Sequence, residues 1–178
     1  RRQAQIAARY PALDIRPLRG NLDTRIAKLD RGDYAAIVLA AAGLKRLGMA
    51  ERIRSYLAVE ESLPAAGQAA LGIECMAARG DVIELVQALQ DARASACVRA
   101  EREVNRCLGG SCTIPLAAFA EQVGGKLRLR ALVASPDGRR IARAESEGDA
   151  ARPEELGLRV ASLLRERGAG EILAALGA

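Results

Sequence analysis

The chain has 178 residues, of which 50% are hydrophobic and 28% charged, a balance that suits a globular protein of one large or two small domains and excludes overall disorder. Its net charge of +5 and pI near 9.4 come largely from arginine and suit phosphate or carboxylate ligands, whereas 2% aromatic content without tryptophan argues against a stacking platform for single-stranded nucleic acid. Histidine is absent, which removes histidine general-base catalysis and mixed zinc sites, and the four cysteines form no CxxC pair.

In chain order, Arg2 to Arg9 is helix-compatible and is stopped by Tyr10-Pro11, and the alternation from Leu13 to Leu18 predicts a half-buried strand. Arg19-Gly20-Asn21 then leads into Leu22, Ile26 and Leu29 at helical spacing, with Asn21 as the N-cap. Free backbone N–H groups and the positive end of the helix dipole meet there, flanked by Arg19 and Arg25, so an anion fits the place; the alternative is that Arg25 is a solvated first-turn arginine. Asp30 to Asp33 is a turn, and the apolar run Tyr34 to Ala41 predicts a buried central strand. A short helix from Gly43 to Gly48 follows. This βα succession places ligand contacts at strand C-terminal ends, close to Arg46, whose alternative is a surface pair with Glu51.

Ser62 to Gly67 has hinge or crossover character, and Gln68 to Glu74 reads as a further strand. Asp81 to Gln90 is amphipathic through Val82, Leu85, Val86 and Leu89, and Ala92 to Leu108 is a longer helix carrying Cys97, Val104 and Cys107. Cys75, Cys97 and Cys107 read as small core residues. Leu108-Gly109-Gly110-Ser111-Cys112-Thr113-Ile114-Pro115 is a glycine-rich loop in which Cys112 sits beside backbone N–H groups that favour thiolate, unless it is merely a helix-to-strand turn with an incidental cysteine. From Pro115 the period changes to two, and Leu116 to Ala120, Leu127 to Val133 and Ile141 to Glu147 predict a three-stranded antiparallel meander. A helix through Leu156, Val160, Leu163 and Leu164 covers one face of it, and a last helix runs from Glu171 to Leu176. With no signal peptide and no membrane-spanning run in the sequence, a cytoplasmic protein with reduced thiols and no membrane partner is expected.

Several blocks resemble hydroxymethylbilane synthase, also called porphobilinogen deaminase. They are Arg1-Arg2-Gln3, Leu18 to Arg25, Lys28-Leu29-Asp30, Ala40 to Gly48, Leu63 to Gln68, and the Cys112 loop with Ala100-Glu101-Arg102 before it and Leu116 to Ala120 after it. They occur in the family's order nearly end to end. The resemblance implies a transferase of tetrapyrrole and heme biosynthesis that condenses four porphobilinogens into hydroxymethylbilane with loss of ammonia. It also implies a dipyrromethane cofactor held by a thioether on Cys112, the nucleophile. Arg1, Arg2, Arg19, Arg25 and Arg46 match arginines holding cofactor and substrate carboxylates, and Gln68 a hinge glutamine bordering the site. Ala69 stands where the family has glycine, a change expected to stiffen the hinge.

The implied fold is α/β: a partial binding-protein-like cleft domain over residues 1–63, a hinge and returning segment over 64–90, and a small C-terminal α+β domain over 91–178 that carries the cysteine loop. Against the family the first half is missing, together with the aspartate that stabilises charge on the pyrrole nitrogens. A fragment, inactive alone and monomeric when complete, is therefore expected. A non-enzymatic basic anion-binding module and a cleft protein binding a carboxylate without turnover are the competing readings, and salt sensitivity would mark the former.

Overall fold

The computed structural model describes residues 1–110 and 114–177. Three antiparallel strands, β1 (Leu116–Val123), β2 (Lys126–Ala134) and β3 (Ile141–Gly148), form a sheet in the order β1-β2-β3. The β1–β2 register ends on Val123 opposite Lys126. Gly124 and Gly125 between them have φ of 56° and 81°, the two left-handed residues that a type I′ hairpin turn needs. Alternation along β2 then fixes two faces: Leu127, Leu129, Ala131 and Val133 enter one core, Leu132 and Ala134 the other.

The first face is covered by α5 (Ala92–Cys107) and α6 (Pro153–Glu166), with α7 (Ala169–Ala174) beyond them. Asp91 caps α5 by accepting the Ala94 N–H at 2.8 Å, and Pro153 opens α6, where its missing N–H costs nothing. The two helices approach closely at Gly157, because a Cβ there would lie 2.7 Å from the Ala100 carbonyl and 2.6 Å from the Glu103 Cβ. Ala100, Val104, Leu156, Val160 and Leu164 fill the space against the sheet.

The second face receives α1 (Arg2–Arg9), whose fully buried Ala4 packs with Ala117, Leu132, Ala134 and Leu63. Gln5 holds the helix there: its amide donates to the Leu63 carbonyl at 3.0 Å and accepts the Leu63 N–H at 2.8 Å. Gly138, in the turn between β2 and β3, has φ 73° and would put a Cβ 2.3 Å from the Ala4 carbonyl, so glycine is required twice over. Arg130 ties the preceding segment to the sheet through Glu60 and Glu121, each at 2.6 Å, and lies over the Phe119 ring.

The meander and its covering helices match the sequence reading, and α2 (Leu22–Asp30), α3 (Ala41–Arg46) and α4 (Gly80–Gln87) appear where helices were expected. The three strands predicted before residue 90 do not. Leu13 to Leu18, Tyr34 to Ala41 and Gln68 to Glu74 form no ladder, and β1–β3 make the only sheet among the described residues. An apolar, β-prone run becomes a strand only when another strand satisfies its backbone groups, and none pairs with these. Their side chains are correspondingly exposed, Leu71 at 79% and Ile73 at 56%. Cys75, read as a core residue, is exposed for the same reason.

Candidate functional site

The docking of α1 by Ala4 and Gln5 fixes its first residues at the rim of a cavity of about 420 Å³. Arg1, Arg2, Ala65, Ala66, Asn105, Gly110, Ile114 and Leu116 line it, and no acidic residue is among them. Arg1 is half-buried, and burial, followed by the neighbouring Arg2 charge, lowers the affinity of its guanidinium for its proton. Its Nη2 donates to Gln68 Oε1 at 3.4 Å, while its buried Nε has no partner among the described residues. Arg2 donates from Nη1 to the Val38 carbonyl at 2.9 Å. Two adjacent cations, of which Arg1 is both partly desolvated and left with an unused donor, need an anion more than they need each other.

Gln68 is placed by a turn that also engages Glu101. The Ala65 N–H donates to Gln68 Oε1 at 3.4 Å, and the Gly67 N–H donates to Glu101 Oε2 at 2.6 Å. Glu101 Oε1 accepts the Ala120 N–H of β1 at 2.8 Å. This carboxylate, only 5% exposed, therefore joins α5, the 65–68 turn and the sheet. Burial pushes its pKa up, against the two N–H groups that pull it down. The sequence reading did not single it out. The signal was present, since Glu101 falls on the apolar stripe of α5 with Cys97, Val104 and Leu108, where a charge must find partners.

At the other wall α5 ends in a Schellman arrangement. Gly109 is left-handed at φ 63°, its N–H reaches the Arg106 carbonyl at 3.4 Å, and the Gly110 N–H reaches that of Asn105 at 2.8 Å. The chain enters the glycine-rich loop from there. Cys112 itself lies outside the described residues.

Of the other predicted site residues, Arg19 and Arg25 flank the α2 N-terminus. Asn21 caps that helix by accepting the Thr24 N–H at 2.8 Å, as its spacing predicted. Arg25 Nε donates to the Gly20 carbonyl at 2.8 Å, and Lys28 Nζ to that of Arg19 at 3.2 Å. Arg46 is exposed on the last turn of α3. The Arg2 bond to Val38 links α1 to the segment leading into α3, but no described hydrogen bond joins Arg19, Arg25 or Arg46 to Arg1 or Arg2. Ala69 has φ 71°, the one positive-φ non-glycine among the described residues, a conformation costing about 1–2 kcal/mol where glycine would cost nothing.

Cys97 and Cys107 are half-buried against the core, consistent with their reading as packing residues. Burial raises both thiol pKa values; Glu101 adds to the effect at Cys97, and Cys107 donates to Glu103 at 3.4 Å. Neither is poised as a thiolate.

Comparison with known proteins converges on one family. The family model described as porphobilinogen deaminase, dipyromethane cofactor binding domain, matches residues 1–109, and that described as porphobilinogen deaminase, C-terminal domain, matches residues 95–166. The chain is 60% identical to the porphobilinogen deaminase of Bordetella parapertussis over 99% of its length and 56% of that protein's. It is 60% identical to that of Ralstonia nicotianae over the whole chain and 54% of the relative. For Paraburkholderia phytofirmans the identity is 56%, over the whole chain and 53% of the relative. The chain thus spans about half the length of the curated relatives it matches.

Proposed function

The chain belongs to the porphobilinogen deaminase family, and from that premise we propose that it forms part of a transferase condensing four porphobilinogens into the linear tetrapyrrole hydroxymethylbilane with release of ammonia. The observation that carries the reading is the arginine cavity. A dipyrromethane group bears several carboxylates, and the half-buried Arg1 with its unused Nε, beside Arg2 and away from any lining acid, offers what such a group requires. The residues therefore fit it. Bound through Cys112, the group would supply the free pyrrole α-carbon to which the first ring is joined, and the residues named here would hold its carboxylates.

The chain's own residues bind and orient. Arg1 and Arg2 neutralise carboxylates in partly desolvated surroundings, where a charge-assisted hydrogen bond is stronger than in water. Gln68 keeps the Arg1 fork turned into the cavity, and Glu101 keeps the Gln68 turn in place. Arg19 and Arg25 take carboxylates of the cofactor and of incoming porphobilinogen, Arg46 those of the substrate, and Cys112 is the nucleophile of attachment. In this reading residues 1–63 belong to a binding-protein-like cleft domain, 64–90 form its hinge and return, and 91–178 form the domain carrying the cysteine.

Peptide mapping of the full-length enzyme tests it. The mass of two condensed pyrroles is expected on the Cys112 peptide and on none containing Cys75, Cys97 or Cys107. Cys112→Ser should fold but carry no adduct and make no tetrapyrrole. An adduct on another cysteine, or a Cys112→Ser variant that still makes product, overturns the assignment. A basic anion-binding module would carry no adduct, and its polyanion affinity would collapse with salt.

A further inference from the structure

Gly110, the last described residue before Cys112 in the chain, is tied to Asn105 at every polar atom. Its N–H donates to the Asn105 carbonyl at 2.8 Å, and its carbonyl accepts from Asn105 Nδ2 at 3.3 Å. A Cβ built on Gly110 would lie 1.9 Å from Asn105 Oδ1 and 2.6 Å from its Cγ. Gly110 is not in the left-handed region, so its backbone conformation does not demand glycine. The Asn105 side chain does. Both residues line the arginine cavity with Arg1 and Arg2.

Ending α5 does not need this side chain. The Gly109 and Gly110 N–H bonds already close the helix, and buried Leu108 anchors its last turn to the core. What the amide adds is a fixed orientation for the Gly110 peptide, the last described part of the cavity wall ahead of Cys112 in the chain.

We propose that Asn105 is a positioning residue that fixes the Gly110 peptide ahead of Cys112, so that the reactivity of this thiol depends on it, and requires a side-chain-free residue at 110. The inference deepens the deaminase reading and rests on it for the purpose of the loop. Its test is therefore made on the thiol. In full-length apoenzyme the rate at which iodoacetamide alkylates Cys112 is followed by peptide mapping, with Cys97 and Cys107 as internal references and melting temperature as the control for folding.

Asn105→Leu, which keeps bulk and loses the donor, should change the Cys112 rate several-fold, leave the reference cysteines unchanged and barely shift the melting temperature. Gly110→Ala should change the Cys112 rate by about tenfold, the equivalent of an overlap of roughly 1.4 kcal/mol. The same Gly110→Ala change made in an Asn105→Ala background should have less than about a third of that effect, because the overlapping atoms are gone. Equal effects of Gly110→Ala in both backgrounds, or a wild-type Cys112 rate in Asn105→Leu, would overturn the proposal. Should Gly110→Ala fail to fold, Asn105→Leu still decides it. A wild-type enzyme that forms no tetrapyrrole defeats the functional reading and leaves this comparison intact.

Discussion

Residues 91–177 and residues 10–90 differ in what their apolar side chains touch. In the first region Leu127, Leu129, Leu132, Val133 and Leu164 are fully buried between a sheet and its helices. In the second, Leu71, Met76, Leu85 and Leu89 are all more than 70% exposed, and α4 buries no residue at all. The first has a partner for each face it presents: α5 and α6 cover one side of the meander and α1 the other. The second buries few apolar side chains, Ile26, Leu44 and Leu63 among them, and α4 and the segment around Leu71 to Met76 have no partner among the described residues. Hydrophobicity sets what burial would be worth; the presence of a complementary surface sets whether it happens.

The largest effects should therefore come from the first region. Leu129→Ala removes a fully buried side chain at the centre of the sheet and should destabilise the chain by about 2–5 kcal/mol in urea unfolding. Gly157→Ala forces a methyl against the Ala100 carbonyl at the α5–α6 contact, with an expected cost of about 1–3 kcal/mol. A cost below about 0.5 kcal/mol for either would mean that the helices do not clasp the sheet as described.

Glu101 sharpens the comparison, because it is the charged group through which the packed region holds the 65–68 turn. Glu101→Gln turns an acceptor into a donor and leaves either the Gly67 or the Ala120 N–H unsatisfied, at a cost of about 1–3 kcal/mol. It also has a pH signature. The folded pKa is raised by burial, so the native state binds more protons than the unfolded one between the ordinary carboxylate value and the raised one. Stability from this group is complete below the ordinary value and is lost as pH rises through the raised value. The Gln variant lacks that slope. Urea unfolding of both proteins from mildly acidic to neutral pH checks it, and parallel profiles would show that Glu101 is not a buried, titrating clasp.

The same contrast governs how much of the molecule could be read from its sequence. The meander was legible because its period-two runs are separated by turn residues and each strand's neighbour is next in the chain, so the pattern carries its own partner. The Asn21 cap and the long helix ending at Cys107 were legible because capping and helical spacing are local. Tyr34 to Ala41 has the composition of a central strand, but composition reports fitness to pair and says nothing of whether a partner is at hand. At the site, local spacing suggested Arg19, Arg25 and Arg46, whereas Arg1 and Gln68 came only through the family resemblance. That Arg1 meets Gln68 across 67 positions, and Glu101 meets Gly67 across 34, depends on how α1 and α5 dock. No local pattern encodes such docking.

The smallest effect should come from α4. Leu85 is 74% exposed on a helix that buries nothing, so Leu85→Ala removes little area from contact and adds slight helix propensity. In the 178-residue chain the change in unfolding free energy should stay within about 0.5 kcal/mol, as for most surface substitutions. The comparison with Leu129→Ala isolates environment, since both changes delete the same atoms from a leucine. If transfer from water alone set the cost, even the partly covered side chain of Leu85 would already lose a share of it. The difference between about 0.5 and about 2–5 kcal/mol is instead the combined value of burial and packing in the sheet core. A Leu85→Ala cost approaching that of Leu129→Ala would place α4 against a surface and erase the distinction between the two regions.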